Sequence, residues 1–483
     1  MSTKNRNIQM FFGSVVVLTI FLWLCGPSSV FASISVLGGD VEITGYLRND
    51  FGVRTQDADE VHPGYESGDI TLFRNTLQVE SKWEMTDTFR MYGIFRAWYD
   101  ASMDIDSDIE DRISKHARDD FRKDIDLREI YLDYTPKNWL VRIGKQQIVW
   151  GESDGFRMAD IINPLDYSWH YFFPSWEDIR IPKWGVRTIT TFDKFSAEFV
   201  FLPNVIDNGF EHTNFPPEGS NWAFAGFPQF LIDSLDVSKP DKTLSASEFG
   251  ARMKYNARWI DVGVFGFYGR QQDPVLAEDW LTKPGLANGT PDDFFNFPQV
   301  MMVGATFNTQ SKWAIPGFGI PVLRGECVYS FDKDHQSTDM VNNPKVYEKD
   351  TFAYMVGYDA EFYNSFINPT GQSIYHSIQV FQEWLVDAED EVSFGDPDDK
   401  EHMTLITLVL STNYMANKLN VLSFSMYNPD GETWSKLEFS YTHKRDWNFG
   451  VGFQYMGSKY AGGKYFGAFD KNNEAYGWLK YTF

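Results

Sequence analysis

The chain has 483 residues, 17% of them aromatic, and a formal net charge of −24. After about the first thirty residues no run is long and apolar enough to cross a bilayer as a helix, which excludes a helical membrane protein. The acidic balance, with no basic stripe to neutralise phosphates, excludes a nucleic-acid partner.

At the N-terminus, Lys4 and Arg6 precede an apolar run from Met10 to Leu24, and Val30, Phe31 and Ala32 supply the small or permissive side chains of a signal-peptidase site. Residues 1–32 are expected to be a secretion signal, cleaved after Ala32. Cys25 follows the large Leu24 where a lipidation site wants a small residue, so a lipid anchor is the weaker expectation. Cleavage removes two basic and no acidic residues, leaving 41 against 67 and a net of −26. Cys327 is then the sole cysteine, so no internal disulfide staples the mature chain.

From 33 to 483 the chain repeats one pattern: about ten residues of alternating character, a short turn, ten more, then a longer polar loop. This is the signature of an antiparallel transmembrane β-barrel, an all-β fold whose strands face lipid and lumen in turn. In 447–457, Trp447, Phe449, Val451, Phe453 and Tyr455 oppose Asn448, Gly450, Gly452 and Gln454. Strands are expected at 41–55, 69–84, 87–100, 126–136, 139–150, 184–191, 194–201, 248–257, 259–270, 299–310, 321–331, 351–363, 375–387, 402–415, 418–428, 433–443, 447–457 and 475–483. That makes 18 strands, with 16 as the alternative because the connectors Ser311 to Ile320 and Asn364 to Ile374 are long. An even count puts both termini and the tight turns on the periplasmic side. A soluble β-sandwich tolerates the alternation too, but leaves the strand-end aromatics and the short-turn, long-loop asymmetry without a cause.

A barrel this wide holds water rather than its own side chains. The alternation points Arg74, Gln78, Glu80, Lys82, Arg90, Tyr92, Arg96, Glu129, Tyr131, Asp133, Arg142, Gln146, Arg252 and Lys254 inward. Facing lipid, each charge would cost about 2–4 kcal/mol near the midplane. Two roles stay open for these groups: a basic track of Arg74, Arg90, Arg96 and Arg142 facing Glu129 and Asp133, or pairing of charges across neighbouring strands.

The 151–183 segment is too rich in Gly, Pro, Asp and Trp to be wall. It carries Glu152, Asp154, Arg157, Asp160, Asp166, His170, Glu177, Asp178 and Arg180 among several aromatics. It is expected to fold into the barrel as a pore constriction, with an extracellular lid as the alternative. The run R-I-G-K-Q-Q-I-V-W-G-E at Arg142 to Glu152, followed by D-I-I-N-P-L-D at Asp160 to Asp166, resembles a widespread family of Gram-negative outer-membrane proteins catalogued as a domain of unknown function. That family is similar to porin-like and alginate-export-like barrels. Gly144, Gln146, Trp150, Gly151, Glu152, Asn163, Pro164 and Asp166 carry the match, over about 25 residues. The resemblance implies a barrel that moves a solute across the outer membrane. The segment W-H-Y-F-F-P-S-W-E-D after Asp166 is more aromatic than the family pattern.

Asp104, Asp106 and Asp108 begin like a calcium loop, but Ile109 stands where Gly is needed and Lys115 where the bidentate acid belongs, so a solvated acidic loop is expected. No metal, cofactor or catalytic residue is assigned, since there is no H-E-x-x-H and no G-x-S-x-G. His170, His376 and His402 are the available bases for a distant alternative, an outer-membrane hydrolase. The expected function is a porin-like channel for small, in particular anionic, solutes, with an export or uptake conduit for larger anionic or amphipathic molecules as the alternative. The expected partners are outer-membrane lipid and lipopolysaccharide, the solute, and the barrel assembly machinery, which would read the aromatic end at Tyr481 and Phe483. The sequence leaves oligomeric state open, a homotrimer included.

Overall fold

The computed structural model describes residues 34–36, 39–57, 65–106, 111, 113, 118–171, 175–204, 211–216, 219–223, 235–237, 240, 242–284, 292–339, 342–389, 391–392, 401–459 and 466–483. The expected signal segment, 1–32, and Asp108 lie outside the described residues. The wall is built from β1 (Gly39–Arg54), β2 (Ile70–Glu84), β3 (Phe89–Asp100), β4 (Lys123–Tyr134), β5 (Trp139–Gln146), β6 (Lys183–Phe192), β7 (Phe195–Leu202), β8 (Glu248–Asn256), β9 (Ile260–Arg270), β10 (Gln299–Gln310), β11 (Val322–Gln336), β12 (Val346–Phe362), β13 (Ile374–Leu385), β14 (His402–Tyr414), β15 (Leu419–Asn428), β16 (Glu432–His443), β17 (Trp447–Ser458) and β18 (Glu474–Thr482). Each pairs antiparallel with its neighbours in sequence, and β1 closes on β18 with Tyr46 opposite Thr482 and Arg54 opposite Glu474. The result is a closed 18-stranded barrel, so no wall edge is left unpaired. A short strand, Ile34–Val36, folds back on the start of β1.

The alternation builds the wall as expected. Ile143, Phe199, Val264, Val356, Phe439, Val451 and Phe453 lie on the outward, exposed face. Exposed aromatics form two girdles: Phe89, Tyr134, Trp139, Phe192, Phe195 and Trp259 at the turn end, and Tyr99, Phe249, Tyr268, Trp384, Tyr427 and Tyr455 at the loop end. Such girdles mark the two interfaces of a bilayer. Turns at that first end are tight, apart from the longer links at 311–321 and 363–373. The hairpin between β6 and β7 reverses in two residues, with Asp193 at φ 51°, as the primed turns that match strand twist require.

Three departures have local causes. β5 stops at Gln146 instead of Trp150, because the Asn163 side chain takes the Ile148 N–H at 2.7 Å and draws the chain off the wall. β11 and β12 run on to Gln336 and from Val346, past the expected 331 and 351, as a hairpin with a register shift around Asp332, φ 46°. β4 carries a bulge opposite Ile94 and Phe95, so that Arg128 and Glu129 are both buried on the inner side.

The interior is packed on two sides. One apolar cluster joins Ile148, Trp150, Ile161 and Ile162 to the inner faces of β7, β9, β10 and β11 through Val200, Phe265, Phe267, Met302 and Val328. A second joins Met158 and Trp222 to Met355, Phe381, Leu405, Met426 and Trp434. A small sheet of Leu235–Val237, Val275–Leu276 and Asp292–Asn296 lies in the long connections.

Candidate functional site: the inner loop and its two cavities

The connection from β5 to β6 spans 147–182 and is fixed at its root by backbone geometry. Gly144 has φ +142°, and a Cβ there would strike Ile130 O and Tyr131, so only glycine fits. Gln146, fully buried, donates to Gly185 O at 3.3 Å. Asn163 accepts from Ile148 N and donates to Ile181 O at 2.8 Å, tying the outgoing and returning chains together. A side chain at Gly151 would meet the Asp160 backbone at 2.9 Å. Trp150 donates to Glu198 of β7 at 3.1 Å and packs on Phe265 and Phe267.

Beyond the root, the loop bonds to opposite sides of the barrel. On one side, Arg324 of β11 donates to Glu152 O at 2.6 Å and pairs with Asp154 at 2.5 Å, and Gln379 of β13 donates to Asp154 at 3.1 Å. Glu326 accepts from the N–H groups of Glu152 and Ala159. On the other side a one-turn helix, α1 (Trp176–Ile179), is capped by Ser175 and offers Asp178 to Arg48 of β1 at 2.9 Å and to Arg96 of β3 at 2.8 Å. Arg128 of β4 donates to the carbonyls of Glu177 and Arg180 at 3.0 and 2.9 Å. The Trp176 indole, bonded to Asp154 O at 2.9 Å, connects the two limbs. Burial opposes the charge on Asp178, but Arg48 and Arg96 override it and hold the carboxyl well below the usual carboxylate range.

The residues expected to line the pore fall into four groups. Arg96 and Glu129 border an internal cavity of about 900 Å³ on the turn side of α1, together with Arg48, Arg128, Lys436, Glu438 and Lys480. Arg142, Asp133, Arg252 and Lys254 are engaged in pairs. Arg142 forms a bidentate bridge to Asp133 at 2.7 and 2.9 Å and lies over Tyr131, Arg252 meets Glu198 at 2.7 Å, and Lys254 reaches Glu152 at 3.3 Å. Arg74 is buried between Trp98 and Trp169, its guanidinium 3.6 and 4.1 Å from their ring centres. Arg90 faces Asp133 in register at the turn end.

In the loop, Arg157 and Arg180 converge on Asp160 at 3.1 and 2.7 Å as an internal brace, and burial pulls the Arg157 guanidinium below its ordinary value. Asp166 accepts from Ser168 at 2.5 Å and bridges to Asn214. Arg180 also borders the 900 Å³ cavity, while Asp154 borders a second one of about 600 Å³ on the loop side of α1, where Tyr171, Phe424, Met426 and Trp434 predominate. The three histidines lie apart: His170 against Glu474 at 3.0 Å, His376 among Phe318, Tyr358 and Phe362, and His402 against Trp384.

With this geometry in hand, known proteins give a context. The family described as a protein of unknown function, DUF1302, matches residues 15–476. The chain belongs to the DUF1302 family. No curated protein matches it in sequence. Among solved structures it is similar to OccAB3 of Acinetobacter baumannii, at 9% identity and TM-score 0.53 over 92% of this chain and 99% of that one. It is also similar to OccK9 (OpdG) of Pseudomonas aeruginosa, at 10% identity and TM-score 0.52 over 92% and 98%, and to OccK2 (OpdF) of the same organism, solved in complex with glucuronate, at 8% identity and TM-score 0.51 over 92% and 97%. At these identities the likeness is one of fold.

In this DUF1302 barrel, sequence reasoning passed over Arg48, Arg128, Arg324, Lys436 and Lys480 as site residues. Arg128 had a signal. Ile125 and Leu127 are outward on odd positions and Leu132 and Tyr134 on even ones, so the alternation slips by one between Leu127 and Leu132. Arg48 and Arg324 carried none, because what singles them out is a loop more than a hundred residues away in sequence.

Proposed function

We propose that this chain is an outer-membrane channel that passes small anionic solutes through its lumen, with the 147–182 loop as the constriction. The observation that carries this is a pair of ammonium groups on the 900 Å³ cavity, Lys436 and Lys480, that are held by no ion pair among the described residues. Of the cavity's carboxylates, Asp50 and Asp178 are paired with Arg48 and Arg96, Glu80 accepts from Gln78 and Tyr92, Glu438 from Tyr476 and Glu129 from the N–H of Gln147, and Glu177 is exposed. Lys436 and Lys480 border the same cavity and, among the described residues, have neither a hydrogen bond nor an ion pair; the rings of Trp434 and Tyr46 lie beside them, with Glu438 in electrostatic range of Lys436 and Glu80 and Asp178 in range of Lys480. A passing anion is the partner these ammonium groups lack. The fold neighbour bound to glucuronate supports the same class of solute. Secretion by the 1–32 segment, and assembly read from Tyr481 and Phe483 at the closing strand, complete the proposal.

The test is the reversal potential of the refolded mature protein in a planar bilayer under a salt gradient. Anion preference is expected, and Lys480→Gln should weaken it. A folded, heat-modifiable barrel that conducts nothing, or that prefers cations, would overturn the proposal.

A further inference from the structure

The 600 Å³ cavity is unlike the rest of the lumen. Phe156, Tyr171, Trp176, Phe424, Met426 and Trp434 are among the residues that line it, and its volume falls within the range of about 300–1,000 Å³ typical of small-molecule sites. A water-filled conduit for hydrophilic ions has no use for such a surface, since apolar walls give a hydrated solute nothing in exchange for its water. The one carboxylate on its border, Asp154, is already held by Arg324 and Gln379. The one ammonium is Lys436, which together with Ser175 belongs to both cavities and so stands where they meet. The chamber therefore has an apolar body and a single ammonium, held by no ion pair among the described residues, at its boundary with the charged cavity.

We infer that this chamber is a binding site for a monocarboxylate with an apolar body, aryl or acyl, seated among Phe424, Met426 and Trp434 with its carboxylate on Lys436. The inference rests on the channel reading and narrows it. The ring or chain leaves water for the aromatic walls, and the carboxylate stays at the polar boundary, where the basic side chains of the 900 Å³ cavity receive it next. A sugar acid matches only the head of this arrangement. A neutral alcohol of the same body matches only the wall.

The experiment titrates the refolded mature protein with 3-phenylpropionate, 3-phenylpropanol and glucuronate, read by quenching of tryptophan fluorescence, Trp176 and Trp434 being at the site, and by calorimetry. Phenylpropionate is expected to bind about tenfold or more tightly than either of the others. Lys436→Met should erase the preference for the acid over the alcohol, and Lys436→Arg should restore it. Val409→Trp, which fills the chamber, should abolish binding of both; if that variant does not fold, the Lys436 pair decides alone. Equal affinities for phenylpropionate and glucuronate, or an acid preference that survives Lys436→Met, would overturn the inference. The two readings fail separately: anion conduction without this binding removes the chamber and leaves the channel, while binding without conduction removes the channel and leaves the site.

Discussion

The two limbs of the inner loop are held by different physics. The limb from Ile148 to Leu165 is an apolar wedge, with Ile148, Trp150, Ala159 and Ile162 almost without solvent contact and the Arg157, Asp160 and Arg180 brace inside it. In the other limb, α1 itself buries only Ile179 and is held to the wall by charge-assisted bonds to Arg48, Arg96 and Arg128. Burial makes the first limb part of the barrel. The second borders both cavities and depends on contacts that pH and substitution can remove, so it is the element able to move.

Four measurements would break or sharpen this contrast. The largest effect belongs to the wedge. Asp160→Ala leaves two buried guanidinium groups without their carboxylate and should cost about 3–5 kcal/mol, seen as a lowered urea midpoint of the folded barrel. Next comes the α1 limb. Asp178→Asn removes charge-assisted bonds of about 1.5–3 kcal/mol, and should raise single-channel conductance while lowering the urea midpoint less than Asp160→Ala does. A conductance unchanged by Asp178→Asn would erase the distinction between the limbs.

The third is a pH dependence. A carboxyl whose folded pKa is depressed contributes stability above its unfolded value, about 3.9, and loses it as pH falls through the lower folded value. The Asp178 contacts should accordingly hold at neutral pH and give way only below about pH 4, as an acid-induced rise in conductance absent from Asp178→Asn. The smallest effect is at Lys254 and Glu152, a half-exposed pair. Lys254→Met should shift the urea midpoint by less than about 1 kcal/mol equivalent.

The wall was legible because its determinants are local. Period-two alternation and turn residues gave all 18 strands, most of them to within about three residues. The long connectors at 311–321 and 363–373 proved to be ordinary turn-end links, the second opened by Asn364 accepting from the N–H groups of Phe366 and Ile367. Local signals also misled where a distant group intervened. Alternation runs on past Gln146 to Trp150, and only Asn163 takes the chain away.

The site was less legible. Arg142 with Asp133 follows from the pairing of adjacent strands, whereas Asp178 with Arg48, 130 residues apart, exists only once the barrel has closed and the loop has entered it. The apolar chamber left a faint mark: in β14 both faces are apolar from Leu405 to Leu410 except at Thr407, where a strand between lipid and water should alternate.

The central claim is that α1 lies across the path of the solute. Its most direct test is a cysteine at Ser175, in a chain whose Cys327 is replaced by Ser, modified by a bulky thiol reagent during single-channel recording. A stepwise fall in current on modification is the result this account predicts. An accessible, fully modified cysteine with an unchanged current would contradict it.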